Sequence, residues 1–193
     1  MAFGVPQSRE RIVFVASRTL GKRTISDLLE QLAGRPIVPK LNASDALAGL
    51  PTDASKNGTL ENHEAMQHGK RVTAKIRRIK PGEGPLSYRK LDPNEPARTL
   101  VCGNRAMPCH WLAPRTITAR EGARIQGFPD EFVFRGPRSA QMQQVADAVP
   151  PRLALGVARA LFDAIATHRM CPRVSPIPQL LRRQSFAPQR CDG

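Results

Sequence analysis

One unbroken apolar run, Ile12-Val13-Phe14-Val15-Ala16, limits what this chain can build. β-Branched and aromatic residues with no polar alternation mark a strand buried on both faces of a parallel sheet. The run is the only convincing strand of that kind in the 193 residues. Parallel sheets need several such strands joined by crossover helices, so this one has nothing in its own chain to pair with. The expectation is an α/β unit with something outside the chain missing.

Charge indicates the class of partner. Thirty Lys and Arg against sixteen Asp and Glu leave a net charge of +14. Each phosphate neutralised by a cation releases condensed counterions, so a polyanion is favoured, nucleic acid first and a membrane surface second. No stretch reaches the roughly 18 apolar residues of a spanning helix, and the N-terminus carries no basic-then-apolar leader. A cytoplasmic protein without a membrane partner is expected. The four cysteines, at 102, 109, 171 and 191, are too few and too irregular for a disulfide scaffold and read as reduced thiols. Cys102, Cys109 and His110 lack the paired short brackets of a zinc site, so no metal is expected.

Local signals place the remaining elements. Thr24 to Leu32 carries a short helix pattern with Thr24 and Asp27 spaced as a capping pair. Residues 34–69 are rich in Gly, Pro, Asn, Ser and Asp and read as mostly loop. From Lys70 to Lys80, Val72, Ile76 and Ile79 form one helical stripe and Arg71, Lys75 and Arg78 another, a cationic amphipathic helix stopped by Pro81-Gly82. Segment 84–114 is punctuated by prolines, with one short strand candidate at Thr99-Leu100-Val101. Thr118-Ala119-Arg120-Glu121 is a capping box that starts a helix ended by Gly127 and Pro129. A further helix is expected from about Ser139 to Val145. The last begins after Pro150-Pro151, with Ala154, Val157, Ala158, Leu161, Phe162 and Ile165 as a wide apolar face. Residues 170–193 hold prolines and arginines with one Asp and read as a basic disordered tail.

These segments together resemble a known family. Gly4-Val5-Pro6-Gln7-Ser8-Arg9-Glu10-Arg11 before a strand resembles motif VIII of the bacterial DNA (cytosine-5) methyltransferases. Residues Arg115 to Asp130 resemble motif IX, and Ala146-Asp147-Ala148-Val149-Pro150-Pro151 resembles motif X. The resemblance implies an α/β fold: the C-terminal part of a Rossmann-like, S-adenosyl-L-methionine-dependent methyltransferase plus a small, irregular target-recognition domain. It divides the chain into 1–17 (motif VIII loop and strand), 18–114 (target recognition), 115–145 (motif IX helix and following segment), 146–169 (motif X and a helix packing back) and 170–193 (tail).

The family's reaction adds a cysteine thiolate to C6 of a flipped cytosine and passes a methyl group to C5. By resemblance, Arg11 would hydrogen-bond the O2 of that cytosine, a role suited to a permanently charged donor, while Gln7 and Arg9 hold the loop. Asp147, Ala148 and Val149 would lie near the methionine part of S-adenosyl-L-methionine, although the family usually has Asn where Asp147 stands. Arg115, Thr118, Glu121 and Arg124 of motif IX would organise the recognition domain. Double-stranded DNA would be gripped by Arg71, Lys75, Arg78, Arg89 and Lys90. One Trp, one Tyr and seven Phe are too few for a binder built on stacked single-stranded bases.

Other motifs of the family are missing. Its order runs from a Gly-rich cofactor turn through Pro-Cys-Gln and Glu-Asn-Val to the Gln-x-Arg-x-Arg loop, where this sequence begins. Pro108-Cys109-His110 and Glu61-Asn62-His63 imitate the nucleophile and acid motifs but lie on the wrong side of residues 7–11 and in reverse order. The leading expectation is therefore the C-terminal half of a type of enzyme used in DNA methylation and restriction-modification. It would be active only with a complementary N-terminal methyltransferase chain that carries the nucleophile. The alternative is a non-catalytic DNA-binding relic of such an enzyme. Alone, the chain should leave residues 12–16 and the face from Ala154 to Ile165 exposed.

Overall fold

The structure, a computed structural model, describes residues 3–18, 20–33, 41–54, 60–101 and 107–170. In chain order the elements are β1 (Gln7–Ser8), α1 (Lys22–Ala33), α2 (Ala43–Leu47) and α3 (Lys70–Arg78). They continue with a 3-10 turn (Leu86–Tyr88), β2 (Ala97–Arg98), α4 (Ala119–Ile125), α5 (Arg138–Asp147) and α6 (Pro151–Met170). The only sheet among the described residues is the parallel pair β1–β2, with Gln7 opposite Ala97 and Ser8 opposite Arg98.

The core forms around α4, which packs against α2 and α5. Ile117, Ala123, Ile125, Leu100, Met107 and Val145 are all buried in one cluster. Gly122 sits where a Cβ would come within 3.1 Å of both the Met107 Cε and a Val145 methyl, so glycine lets α4 approach its neighbours this closely. The start of α4 follows the capping pattern: the Thr118 hydroxyl accepts from the Glu121 amide at 3.1 Å, and the Glu121 carboxylate accepts from the Thr118 amide at 2.7 Å.

Several local expectations change. Ile12–Ala16 forms no strand; Ile12 is 82% and Phe14 90% exposed. A strand exists only through hydrogen bonds to a neighbour, and none of the described segments offers this run an edge. Pairing falls instead at β1, five residues earlier. Its partner is Ala97–Arg98 rather than Thr99–Val101, because the Ala97 amide reaches the Pro6 carbonyl at 3.0 Å and Leu100 turns into the core.

The stretch read as loop contains α2, whose start is fixed by the Asn42 amide donating to the Asp45 carboxylate at 2.8 Å; residues 34–40 and 55–59 lie outside the described residues. Helix α6 packs on α1, and its Gly156 and Ala160 are buried. The apolar side chains Leu155, Phe162 and Ile165 stay exposed, Phe162 by 72%. The tail from residue 171 and Cys102 lie outside the described residues.

Candidate functional site

Two distant parts of the chain meet at one cavity. Gly4 takes a left-handed conformation (φ 65°) as the chain turns into β1. Arg9 then reaches across the fold: one guanidinium nitrogen donates to the Ala146 carbonyl at 2.9 Å and another to Leu100 at 3.4 Å. In return, Arg152 at the start of α6 donates to the Gly4 carbonyl at 2.8 Å. Between these segments lies a cavity of about 200 Å³ lined by Val5, Gln7, Arg9, Arg11, Pro150 and Leu153 among others.

Gln7 is buried, its Nε2 donating to the Arg98 carbonyl at a long 3.5 Å, and its Oε1 has no partner among the described residues. The Arg9 Nε is likewise buried and unpaired, as is Gln126 Oε1 at the end of α4. Arg11 is exposed at the rim and donates to the Glu10 carbonyl at 2.8 Å. Asp147, Ala148 and Val149 adjoin this cavity in sequence, but Asp147 and Val149 point outward. The Asp147 carboxylate accepts from the Gln143 amide at 2.5 Å, and Val149 is exposed.

The segment around α4 is a closed network. Glu121, fully buried, accepts both terminal nitrogens of Arg115 at 2.8 Å. Burial alone would raise the Glu121 carboxyl; the Arg115 fork and the Thr118 amide outweigh it and hold the group below the usual carboxylate range. His63 extends the network, with Nδ1 at 2.9 Å from the Thr118 hydroxyl and Nε2 donating to the Pro51 carbonyl at 2.8 Å. Arg124 pairs with Asp130 through two bonds of 2.8 and 2.5 Å and reaches the Ala48 carbonyl beyond α2. The four motif IX residues named from sequence are therefore internal ties.

Sequence reasoning missed Arg120, which is completely buried and donates to the carbonyls of Glu61, Pro129 and Phe132. Burial pulls its guanidinium below the ordinary value, an effect eased by Asp130 at 3.9 Å. The local pattern carried no signal for it, since Arg120, Glu121 and Arg124 all read as polar positions of α4 and only the tertiary fold sends Arg120 inward.

The cationic helix forms as expected. In α3, Ile76 is buried, Val72 and Ile79 are half-buried, and Arg71, Lys75 and Arg78 are exposed, joined by Arg77. The Lys75 ammonium stands 5.0 Å over the Tyr88 ring. The other two candidate cations differ. Arg89 is half-buried and donates to the Gly82 carbonyl at 3.2 Å. Lys90 is only 7% exposed, drawn inward because its backbone bridges Cys109 and bonds Glu83. Position in a tertiary bridge, invisible to a charge pattern, takes Lys90 off the exposed cationic surface.

The imitation motifs behave as structure. Burial pushes the Cys109 thiol up to about 11, with the Lys90 charge pulling partly back, so it stays protonated at neutral pH. His110 uses Nδ1 to accept the amides of Leu112 and Ala113. Glu61-Asn62 is a turn in which Asn62, at φ 65°, both donates to and accepts from the Phe134 backbone at 2.8 Å. Among the described residues no helix is long and apolar enough to cross a membrane.

Comparison with known proteins matches residues 1–163 to the family model described as C-5 cytosine-specific DNA methylase. The type II methyltransferase M1.HphI of Haemophilus parahaemolyticus is 35% identical over 176 residues, covering 83% of this chain and 45% of that protein. M.BbvI of Brevibacillus brevis is 32% identical over 186 residues, covering 85% of this chain and 47% of its own length. The chain thus spans about half the length of these relatives. M.AquIB of Picosynechococcus sp. is 35% identical over 130 residues, which are 57% of this chain but 93% of that protein. A solved structure described as a candidate DNA modification methyltransferase encoded within a prophage (E. coli) superposes with a TM-score of 0.59 at 23% identity. It covers 71% of this chain and 51% of that one. The α/β methyltransferase fold class read from the sequence agrees with this neighbour.

Proposed function

Since the chain belongs to the C-5 cytosine-specific DNA methylase family, we propose that it is the C-terminal half of a DNA (cytosine-5) methyltransferase. It would supply target recognition and one wall of the active site. The attacking cysteine, the acid and most of the cofactor pocket would reside in a complementary polypeptide.

The observation that carries this reading is the half-built wall. The cavity between residues 5–11 and 150–153, at about 200 Å³, is smaller than the roughly 300–1,000 Å³ of a small-molecule site. Beside it, Ile12, Phe14 and the outer face of α6 expose apolar surface that a further protein layer would cover. Match coverage of 93% for M.AquIB against about half for M1.HphI and M.BbvI supports the same view, since a short polypeptide of this region exists as a named methyltransferase.

In the completed site Arg11, exposed at the rim, would donate to the O2 of a flipped cytosine and steady charge developing on the ring. Arg9, engaged with two carbonyls, would act by holding the loop, and the unpaired Gln7 oxygen would accept a donor from the complementary chain. Ala148 and Val149 would bound the cofactor's methionine part, with Asp147 offering an acceptor where the family usually has an amide. S-Adenosyl-L-methionine would supply the methyl group. On the recognition side, the exposed cations of α3 would contact the phosphates of double-stranded DNA.

Labelled methyl transfer to duplex DNA tests this reading. The purified chain alone should give none, and activity should appear on adding a polypeptide from the adjacent reading frame that carries Pro-Cys-Gln and Glu-Asn-Val. Transfer by the lone chain would overturn the reading. Duplex binding without activity under every pairing would favour the DNA-binding relic.

A further inference from the structure

The 3-10 turn Leu86–Tyr88 presents an apolar tip beside the cations of α3. Leu86 is 71% exposed, although it is one of the larger hydrophobic side chains. Its support is rigid rather than loose. The Tyr88 amide closes the turn on the Pro85 carbonyl at 2.9 Å, and Arg89 fastens the preceding bend through Gly82 at 3.2 Å. Gly84 takes φ 108°, and a Cβ there would lie 2.9 Å from an Ile79 methyl and 3.0 Å from the Tyr88 carbonyl, so the bend is pressed onto the end of α3. Lys75 of α3 covers the Tyr88 ring at 5.0 Å. Leu86 is thus exposed on a turn pressed onto the end of α3, two residues from the ring that Lys75 covers, so a partner drawn to the exposed cations of α3 comes within its reach.

We propose that Leu86 is a base-reading residue whose side chain packs on a pyrimidine 5-methyl group in the major groove of duplex DNA. The inference rests on the duplex-binding reading above and adds the contact that carries sequence information. The cations of α3 fix the backbone but cannot distinguish bases, whereas the 5-methyl group is the one apolar feature a base pair shows in the major groove, and it is absent from the minor groove. Thymine and 5-methylcytosine both carry it.

The test uses the full chain and the duplex it selects from a randomised pool, with affinity read by fluorescence anisotropy. Leu86→Ala should weaken binding about fivefold, as should replacing thymine by uracil, and the two changes together should cost no more than either alone. Leu86→Met should keep most of the affinity. If the methyl group belongs to 5-methylcytosine, replacing cytosine by 5-methylcytosine strengthens binding of the wild type and not of Leu86→Ala. Arg77→Gln should lower the salt dependence and leave the response to the methyl group intact. The proposal is overturned if Leu86→Ala binds like the wild type, or if its loss adds fully to the effect of every methyl substitution. A wild-type chain that binds no duplex would take the duplex-binding reading down with it.

Discussion

Around α4 the charged groups are matched: Glu121 with the Arg115 fork, Arg120 with three carbonyls and Arg124 with Asp130, leaving the Gln126 Oε1 at the end of the helix as the buried polar atom there without a partner among the described residues. Along residues 4–16 and the outer face of α6, the reverse holds. Polar atoms of Gln7 and Arg9 are buried without partners, while Ile12, Phe14 and Phe162 face water. Both regions come from one short sequence, so the contrast reflects what each has to pack against. A segment that finds its partners within the chain closes. One that does not leaves its apolar side outward and its hydrogen-bonding groups waiting.

Substitutions should separate the two regions. The largest effect is expected for Glu121→Ala, which leaves the largely buried Arg115 guanidinium without its counter-charge, held only by the Thr116 and Thr52 carbonyls; a loss of about 3–5 kcal/mol should abolish a cooperative melt followed by circular dichroism. Gly122→Ala forces a methyl to within 3.1 Å of Met107 and Val145 and should cost about 1–3 kcal/mol in urea titration.

Acid should act on the same network. Because the folded-state carboxyls of Glu121 and Asp130 lie below their ordinary values, their stabilisation is complete at neutral pH and declines as pH falls below the usual carboxylate range towards the folded values. The urea midpoint should drop below about pH 4, and Glu121→Gln should show a shallower drop. Smallest is the effect of Phe162→Ser on the lone chain, within about 0.5 kcal/mol, since the ring already faces solvent. The same change should impair assembly with a complementary chain, measured by analytical ultracentrifugation. A large stability loss at Phe162, or none at Glu121, would erase the contrast between the regions.

Sequence made the local features legible. The capping box at Thr118 and Glu121, the stripes of α3 and the prolines before α6 act within a few residues, and each formed where expected. The exposure of residues 12–14 and of Phe162 was also readable, because an unpartnered strand and a helix face need a second surface. What could not be read depended on tertiary placement. The pairing edge moved from Thr99 to Ala97 once Leu100 joined the core, and Lys90 went inward with its bridge to Cys109. Helix α2 was hidden because an aspartate at Asp45 closes its first turn in place of the usual glutamate. Of the candidate site, the sequence singled out Gln7, Arg9 and Arg11 as candidates, but the reciprocal bonds of Arg9 and Arg152 were not legible, since they join residues more than 130 positions apart.

That reciprocity has a mechanical consequence. Arg9 is anchored in the first segment and grips the backbone of the second, while Arg152 is anchored in the second and grips the first, each at less than 3 Å. Two straps crossed in opposite directions resist sliding as well as separation, so the loop bearing Arg11 and the bend before α6 travel as a single slab. Whatever docks against one of them sets the position of the other.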